Sequence, residues 1–88
     1  MSAFDVAFEQ VNKLKPSDEE LLQIYALYKQ ATVGDNHTSE PDSDDLKGKA
    51  KWEAWNALKD MSREDAKAKY VELVNELIRK SIETVLNR

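Results

Sequence analysis

Apolar residues recur every three or four positions along most of the chain, the spacing that one face of an α-helix requires. The first such stripe consists of Phe4, Phe8, Val11 and Leu14. Pro16 follows, and because proline is not tolerated inside a helix, the pattern predicts a first helix over about residues 3–14.

A helix start is marked by the string "SDEE" at residues 17–20. Ser17 and Glu20 can form a capping box, and the acidic side chains stand at the positive end of the helix dipole. One face is then lined by Leu21, Ile24, Tyr25, Tyr28 and Thr32. Gly34 is a typical stop signal, so we predict a second helix over about residues 18–33.

Residues 34–47 contain Pro41 and five acidic side chains without an apolar period, which predicts a loop. Two further helices are predicted after it, over about residues 48–59 and 63–86. Their apolar stripes are Trp52, Trp55 and Leu58, and then Ala66, Tyr70, Leu73, Val74, Leu77, Ile78, Ile82 and Val85. Strand-like alternation is absent, so residues 1–88 are interpreted as one all-α domain of four helices.

Composition narrows the classes of function. The 88 residues carry a net charge of −4 and no cysteine, which excludes disulfides and argues against general binding to nucleic acid. The N-terminus lacks a signal peptide, and no stretch approaches the ~20 apolar residues that span a bilayer. We therefore expect a cytoplasmic protein without stable membrane insertion, and we interpret the glycosylation sequon at Asn36 as chance.

Catalytic and metal-binding groups are scarce. The single histidine, His37, lies in the acidic loop, and no cysteine can act as a nucleophile. The cluster Asp42, Asp44 and Asp45 lacks the glycine and the final glutamate of a calcium loop. We expect neither an enzyme nor a metal or cofactor.

Basic and aromatic residues are nevertheless concentrated in the string "KGKAKWEAW" at residues 47–55. Lys47 and Lys51 stand four residues apart beside Trp52, as neighbours on a helix do. Taken singly, tryptophans and tyrosines at helical spacing are usually core, and lysines are usually solvated. Taken together with Tyr25, Tyr28, Lys29 and Tyr70, they indicate a site for a flat ring, a phosphate and an adjoining apolar group.

Two longer strings, "YALYKQATVGD" at 25–35 and "LKGKAKWEAWNALK" at 46–59, resemble the acyl-CoA-binding protein family, also known as the diazepam-binding inhibitor family. The resemblance extends from Phe4 to about Lys80. It implies an up-down-down-up four-helix bundle that carries long-chain acyl-CoA esters without transforming them. It also implies a monomer that makes transient contact with enzymes that produce or use acyl-CoA.

The resemblance assigns roles to seven residues. It places Tyr25, Tyr28 and Lys29 at the adenine and the 3′-phosphate. Lys51 and Lys47 approach the phosphates, and Tyr70 and Trp52 border the acyl-pantetheine part. These assignments make acyl-CoA, rather than a macromolecular polyanion, the partner of the local basic cluster.

Three departures from the family pattern bear on affinity. Asn12 stands where the family often has lysine, and the connection "LKPSDEE" is two residues shorter than in common members. The segment "SEPDSDDLK" replaces a Pro-Gly-apolar segment. We expect weaker contact with the phosphates, and two rival interpretations remain open at this point: a helical protein-interaction module and an acyl-CoA hydrolase.

Overall fold

A computed structural model describes residues 2–87 and contains no strand within them. The four helices are α1 (Ala3–Val11), α2 (Asp18–Thr32), α3 (Leu46–Asn56) and α4 (Arg63–Leu86). The predicted all-α fold is confirmed.

Serine caps begin three of the helices. At α2 the Ser17 hydroxyl accepts a hydrogen bond from the Glu20 amide at 3.2 Å, and Glu20 Oε1 accepts one from the Ser17 amide at 2.8 Å. The Ser17 amide is the main reason that the pKa of Glu20 lies below its usual value. Ser2 and Ser62 cap α1 and α4 in the same way, each accepting from an amide three residues further on. These hydroxyls satisfy amides that would otherwise lack an intrahelical partner.

The end of α1 and the start of α3 differ from the prediction by three and two residues. α1 ends at Val11 rather than near Leu14, because the Leu14 amide bonds to the Val11 carbonyl, three residues back, and tightens the chain into a turn. α3 begins at Leu46, two residues before the predicted start, so the predicted loop over 34–47 ends at Asp45. The Asp45 carboxylate accepts from the Gly48 amide at 3.0 Å and acts as the N-cap.

The C-terminal ends of α2 and α3 were also placed too late. α2 ends at Thr32, one residue early, and Val33 forms its C-cap. α3 ends at Asn56 instead of near Lys59, and the turn that follows contains Asp60 with a φ of 76°. This left-handed backbone cannot continue a helix.

Contacts at both ends of α2 establish the direction of its neighbours. At one end Glu20 Oε2 lies 3.9 Å from Lys80 Nζ, and at the other the Arg63 guanidinium donates to the Val33 carbonyl at 2.8 Å. α4 therefore runs antiparallel to α2, and the two helices pack together.

The remaining directions follow from aromatic contacts. Lys51 of α3 lies beside Tyr25, and Trp55, one turn later, lies beside Lys29, so α3 is parallel to α2. α1 packs on α4, with Phe4 beside Lys67, and the chain just after α1 reaches the last turns of α4. The order is up, down, down, up, as the resemblance implied.

The core lies where α1, α2 and α4 meet. Its buried members are Ala7, Ile24, Leu27, Tyr70, Val74 and Leu77. The predicted α4 stripe is correct through Leu77 but fails at Ile82 and Val85, which are 55% and 63% exposed because α4 extends past its neighbours. The α2 stripe is partly wrong: Leu21 and Thr32 are exposed, whereas Leu27, Gln30 and Ala31 are buried. α2 packs against both α3 and α4 and so buries more than one stripe.

A polar clamp joins the end of α2 to the turn between α3 and α4. The fully buried Gln30 donates through Nε2 to Asp35 Oδ1 and to the Met61 carbonyl, each at 2.8 Å. The Asp60 amide donates to the same Asp35 oxygen at 2.9 Å. The Gln30 hydrogen bond, followed by the Asp60 amide, holds the pKa of Asp35 below its ordinary value of 3.8.

Two substitutions of Asp35 are expected to distinguish the effect of its hydrogen-bond acceptor on stability from the effect of its negative charge. Asp35→Ala removes the acceptor of two donors and should lower the melting temperature, whereas Asp35→Asn keeps an Oδ1 acceptor for both and should lower it less. Because the folded state lowers the Asp35 pKa, the carboxylate stabilises the fold at neutral pH, and this stabilisation is lost as pH falls below about 4.

Thermal unfolding followed by circular dichroism between pH 7 and acid checks both expectations. The melting temperature of the wild type should fall more steeply below about pH 4 than that of Asp35→Asn. Parallel curves for the two proteins would show that the Asp35 charge does not stabilise the fold.

Candidate functional site

Two lysines from different helices converge on one tyrosine. Lys51 Nζ lies 5.4 Å and Lys29 Nζ lies 5.9 Å from the centre of the Tyr25 ring, and Lys29 Nζ is also 5.5 Å from the Trp55 ring. These distances are within the range of cation–π attraction. Because α2 and α3 are parallel, the pairs Tyr25/Lys29 and Lys51/Trp55, each spaced by four, meet in register. We call these four residues the Tyr25 cluster.

The ammonium groups of the predicted site have no carboxylate partners. Within residues 2–87 the ion pairs shorter than 4.0 Å are Lys49–Glu40, Arg79–Glu76 and Lys80–Glu20. Lys29, Lys47 and Lys51 take part in none of them, although acidic residues outnumber basic ones in the chain. Two unpaired positive charges flanking one aromatic ring are suited to an anion attached to a flat ring.

A second group of aromatic rings lies next to the first. Tyr28 stacks on Phe8 at 5.1 Å and on Phe4 at 6.0 Å, and Tyr70 lies 5.0 Å from Phe4 and 6.3 Å from Tyr28. We call these four residues the aromatic cluster. α2 carries both groups, since Tyr25 and Lys29 turn toward α3 while Tyr28 turns toward α1 and α4.

Tyr70 is the most enclosed residue of the predicted site. The residue is 1% exposed, and burial, with a smaller effect from Tyr28, raises the pKa of its phenol. Its hydroxyl is not among the enclosed partnerless atoms of residues 2–87, where only Gln30 Oε1 is found. No hydrogen bond joins the hydroxyl to another residue of 2–87, and its raised pKa keeps it protonated at neutral pH, so it can act as a donor.

Trp52 is held by the loop that precedes α3. Its indole N–H donates to the Thr38 carbonyl at 3.0 Å, and the Asn36 side-chain Nδ2 donates to the Trp52 carbonyl at 3.4 Å. Asn36 Oδ1 in turn accepts from the Thr38 amide and hydroxyl. The Asn36 side chain is therefore buried and hydrogen-bonded through both Oδ1 and Nδ2, which is unlike an exposed glycosylation acceptor.

The seven predicted residues thus fall into three sets. Tyr25, Lys29 and Lys51 lie in one cluster, and Tyr28 and Tyr70 lie in the neighbouring one. Within residues 2–87, Trp52 and Lys47 make no ring stacking or cation–π contact with either cluster, although Lys47 is exposed one turn before Lys51 on α3. Two clefts of about 440 and 230 Å³ lie elsewhere, and none of the seven residues lines either.

Three further residues of the clusters are not among the seven. Trp55 is buried, and its indole N–H donates to the Gly34 carbonyl at 2.9 Å, so the sequence-based interpretation of this tryptophan as core is correct but incomplete. Phe4 and Phe8 were interpreted only as a core stripe, yet Phe8 is 43% exposed. Their spacing of four beside an aromatic-rich α2 was the available signal.

Other chemistries find little support in the described range. Residues 2–87 contain no group of three or more His, Cys, Asp or Glu side chains that could hold a metal ion. His37 is exposed in the loop. Over the same residues, every helix is too short or too polar to cross a membrane.

Comparison with known proteins identifies the family. The family model described as acyl CoA binding protein matches residues 1–74. The chain belongs to the acyl-CoA-binding protein family. It is 55% identical over 80 residues to acyl-CoA-binding protein homolog 1 of Caenorhabditis elegans, covering 89% of this chain and 93% of the relative. This membership supports acyl-CoA binding as the function. The comparisons give no support to a protein-interaction module.

Other members of the acyl-CoA-binding protein family agree in sequence and in fold. An acyl-CoA-binding protein homolog of Drosophila melanogaster is 54% identical over 79 residues, covering 88% of this chain and 92% of the relative. The crystal structure of Oryza sativa acyl-CoA-binding protein 2 superposes with a TM-score of 0.89 at 37% identity, covering 92% of each chain. The four-helix bundle is therefore the fold of the family.

Proposed function

We propose that the Tyr25 cluster and the aromatic cluster together bind the headgroup of one long-chain acyl-CoA, which the protein carries and buffers without transforming it. The convergence of Lys29 and Lys51 on Tyr25 is the observation that supports this proposal most strongly. Within residues 2–87 neither ammonium group has a carboxylate partner, so an incoming phosphate does not have to displace one from that range.

The proposed roles follow the chemistry of each group. Tyr25, Tyr28 and Lys29 would hold the adenine and the 3′-phosphate, because phenol rings stack on a base and ammonium groups neutralise a phosphate. Lys51, with Lys47 one turn before it, would contact the remaining phosphates.

The acyl-pantetheine part requires a different surface. Tyr70 offers a neutral hydroxyl at the edge of an apolar cluster, where a pantetheine amide could accept a hydrogen bond. Trp52, half-buried on α3, would border the same part of the ligand. No nucleophile and no general base is needed for these contacts, so the protein acts as a carrier and not as an enzyme, and it requires no cofactor.

Approximate free energies indicate which part of the ligand contributes most to the binding affinity. A sixteen-carbon chain has ~14 methylenes worth at most ~11 kcal/mol when fully buried, whereas each charge-assisted hydrogen bond adds ~1.5–3 kcal/mol. Association and ordering costs reduce the sum. The acyl chain of the ligand should thus supply most of the affinity, and the lysines should make the site selective for a CoA headgroup.

A carrier of this kind would work as a cytoplasmic monomer. It would meet the enzymes that make or use acyl-CoA only transiently, since its ligand has to be released to them. The surplus of acidic residues outside the Tyr25 cluster would keep it from binding bulk polyanions.

Titration calorimetry with palmitoyl-CoA, CoA and palmitate tests the proposal. We expect one-to-one binding of palmitoyl-CoA, with CoA and palmitate each weaker by at least about a hundredfold, because CoA lacks the acyl chain and palmitate lacks the phosphate contacts. Equal affinity for CoA and its ester would contradict joint recognition of chain and headgroup. Release of free CoA during the titration would instead indicate a hydrolase.

A further inference from the structure

A cleft of about 440 Å³ lies between the connection from α1 to α2 and the last turns of α4. The connection contributes residues 13–16 as one wall, and α4 contributes positions from Leu77 to Val85 as the other. A volume of this size is within the range of sites for small molecules, ~300–1,000 Å³.

This cleft is separate from the Tyr25 cluster. Glu20, which lines the cleft, lies on the side of α2 that faces Lys80 of α4, whereas Tyr25 faces Lys51 of α3. None of the seven residues assigned to acyl-CoA lines the cleft. Half of its wall also lies beyond residue 74, where the match to the family model ends.

The charge of the cleft is positive. Lys13, Lys15 and Lys80 line it together with a single carboxylate, Glu20. Glu20 is already engaged, since its Oε1 accepts from the Ser17 amide at 2.8 Å, and its distance of 3.9 Å from Lys80 Nζ makes only a weak ion pair. Within residues 2–87, Lys13 and Lys15 have no carboxylate within 4.0 Å.

The cleft is also apolar between these charges. Leu14, Pro16, Leu77 and Val85 line it; Val85 remains 63% exposed, whereas Leu77 is 8% exposed and forms the floor where the cleft meets the core. Thr84 is satisfied internally, because its hydroxyl donates to the Lys80 carbonyl at 2.9 Å. An uncovered apolar surface bounded by unpaired ammonium groups matches a molecule that has an apolar stem and an anionic head.

We propose that this cleft is a second ligand site, which binds a small amphiphilic anion consisting of a short alkyl chain with a carboxylate or phosphate head. The alkyl chain lies on Leu14, Leu77 and Val85. The head lies between Lys13, Lys15 and Lys80, and the long-chain acyl-CoA remains in its own site.

Nuclear magnetic resonance locates such a ligand directly. The ¹⁵N-labelled chain, saturated with palmitoyl-CoA, is titrated with octanoate, octyl phosphate, 1-octanol and inorganic phosphate. We expect saturable amide shifts in residues 13–15 and 77–85 with an anion that carries a chain, and binding at least about tenfold weaker for the alcohol and for phosphate alone. The ratio of octanoate to octyl phosphate affinity identifies the preferred head.

The same titration without palmitoyl-CoA should give the same shifts, so the result does not depend on the acyl-CoA site. Lys13→Gln/Lys15→Gln should weaken octyl phosphate binding about five- to tenfold, whereas the charge-matched control Lys59→Gln/Lys69→Gln should leave it unchanged. Any of three outcomes would overturn the proposal: no saturable shift in these residues, equal binding of 1-octanol, or shifts produced there by palmitoyl-CoA itself.

Discussion

Replacing both Lys29 and Lys51 with alanine is expected to weaken palmitoyl-CoA binding by about 10²- to 10⁴-fold while the protein stays folded, with a melting temperature lowered only by the loss of the cation–π contacts with Tyr25 and Trp55. Each lysine is expected to make a charge-assisted hydrogen bond to a ligand phosphate worth ~1.5–3 kcal/mol, and every 1.4 kcal/mol is a factor of ten. Lys51→Ala alone should cost more than about tenfold. The fold should tolerate the change because neither ammonium group forms an ion pair within residues 2–87.

The matched control for Lys51→Ala is Lys49→Ala. Lys49 lies on α3 between Lys47 and Lys51, and its replacement also removes one positive charge, but its ammonium pairs with Glu40 at 3.6 Å and lies outside the Tyr25 cluster. Calorimetry should therefore find its affinity close to that of the wild type. An equal loss in Lys49→Ala would mean that general positive charge, and not the convergence on Tyr25, attracts the ligand. A collapse of the Lys51→Ala melting temperature would make Lys51 a structural residue.

Tyr70→Ala is expected to have the largest effect on stability. The ring is buried and contacts Phe4 and Tyr28, and truncating a buried aromatic side chain costs ~3–5 kcal/mol. For a domain of this size each kcal/mol lowers the melting temperature by ~4–8 °C, so the variant should be largely unfolded at body temperature. Thermal and urea unfolding measure the loss.

Tyr70→Phe tests the contribution of the hydroxyl alone, because it removes the hydroxyl and keeps the ring. Because no residue in 2–87 binds the hydroxyl, the phenylalanine variant should keep nearly the full free energy of unfolding. Its affinity for palmitoyl-CoA should fall about two- to tenfold, the value of one neutral hydrogen bond. A Tyr70→Phe variant as unstable as Tyr70→Ala would show that the hydroxyl supports the fold and not the ligand.

Local signals predicted the helices well where a cap is part of the sequence. Ser17 with Glu20, and Ser62 with Asp65, mark the starts of α2 and α4 at the observed residues. The start of α3 was missed because its cap, Asp45, stands among other aspartates and cannot be told from them by sequence alone.

The site was predictable in composition but not in arrangement. The pairs Tyr25/Lys29 and Lys51/Trp55 are visible as spacings of four, yet their meeting depends on α3 running parallel to α2, which only the resemblance suggested. The division of Tyr25 and Tyr28 between two clusters depends on α2 being packed on two sides. Periodicity within one helix carries no information on either point.

The parallel course of α2 and α3 limits how the intervening acidic loop can be shortened. α2 ends at Thr32, whereas α3 begins at the level of Glu20, near the start of α2. The loop therefore has to return along α2 by about 20 Å, at 1.5 Å of helix rise per residue. An extended residue spans at most ~3.6 Å, so about six residues are enough to cover that distance. Six is roughly half the number of residues in the loop. Deletions confined to residues 39–44 should therefore preserve the register between the two helices, whereas a tight hairpin turn in the loop's place would force α3 to reverse and would carry Lys51 away from Tyr25.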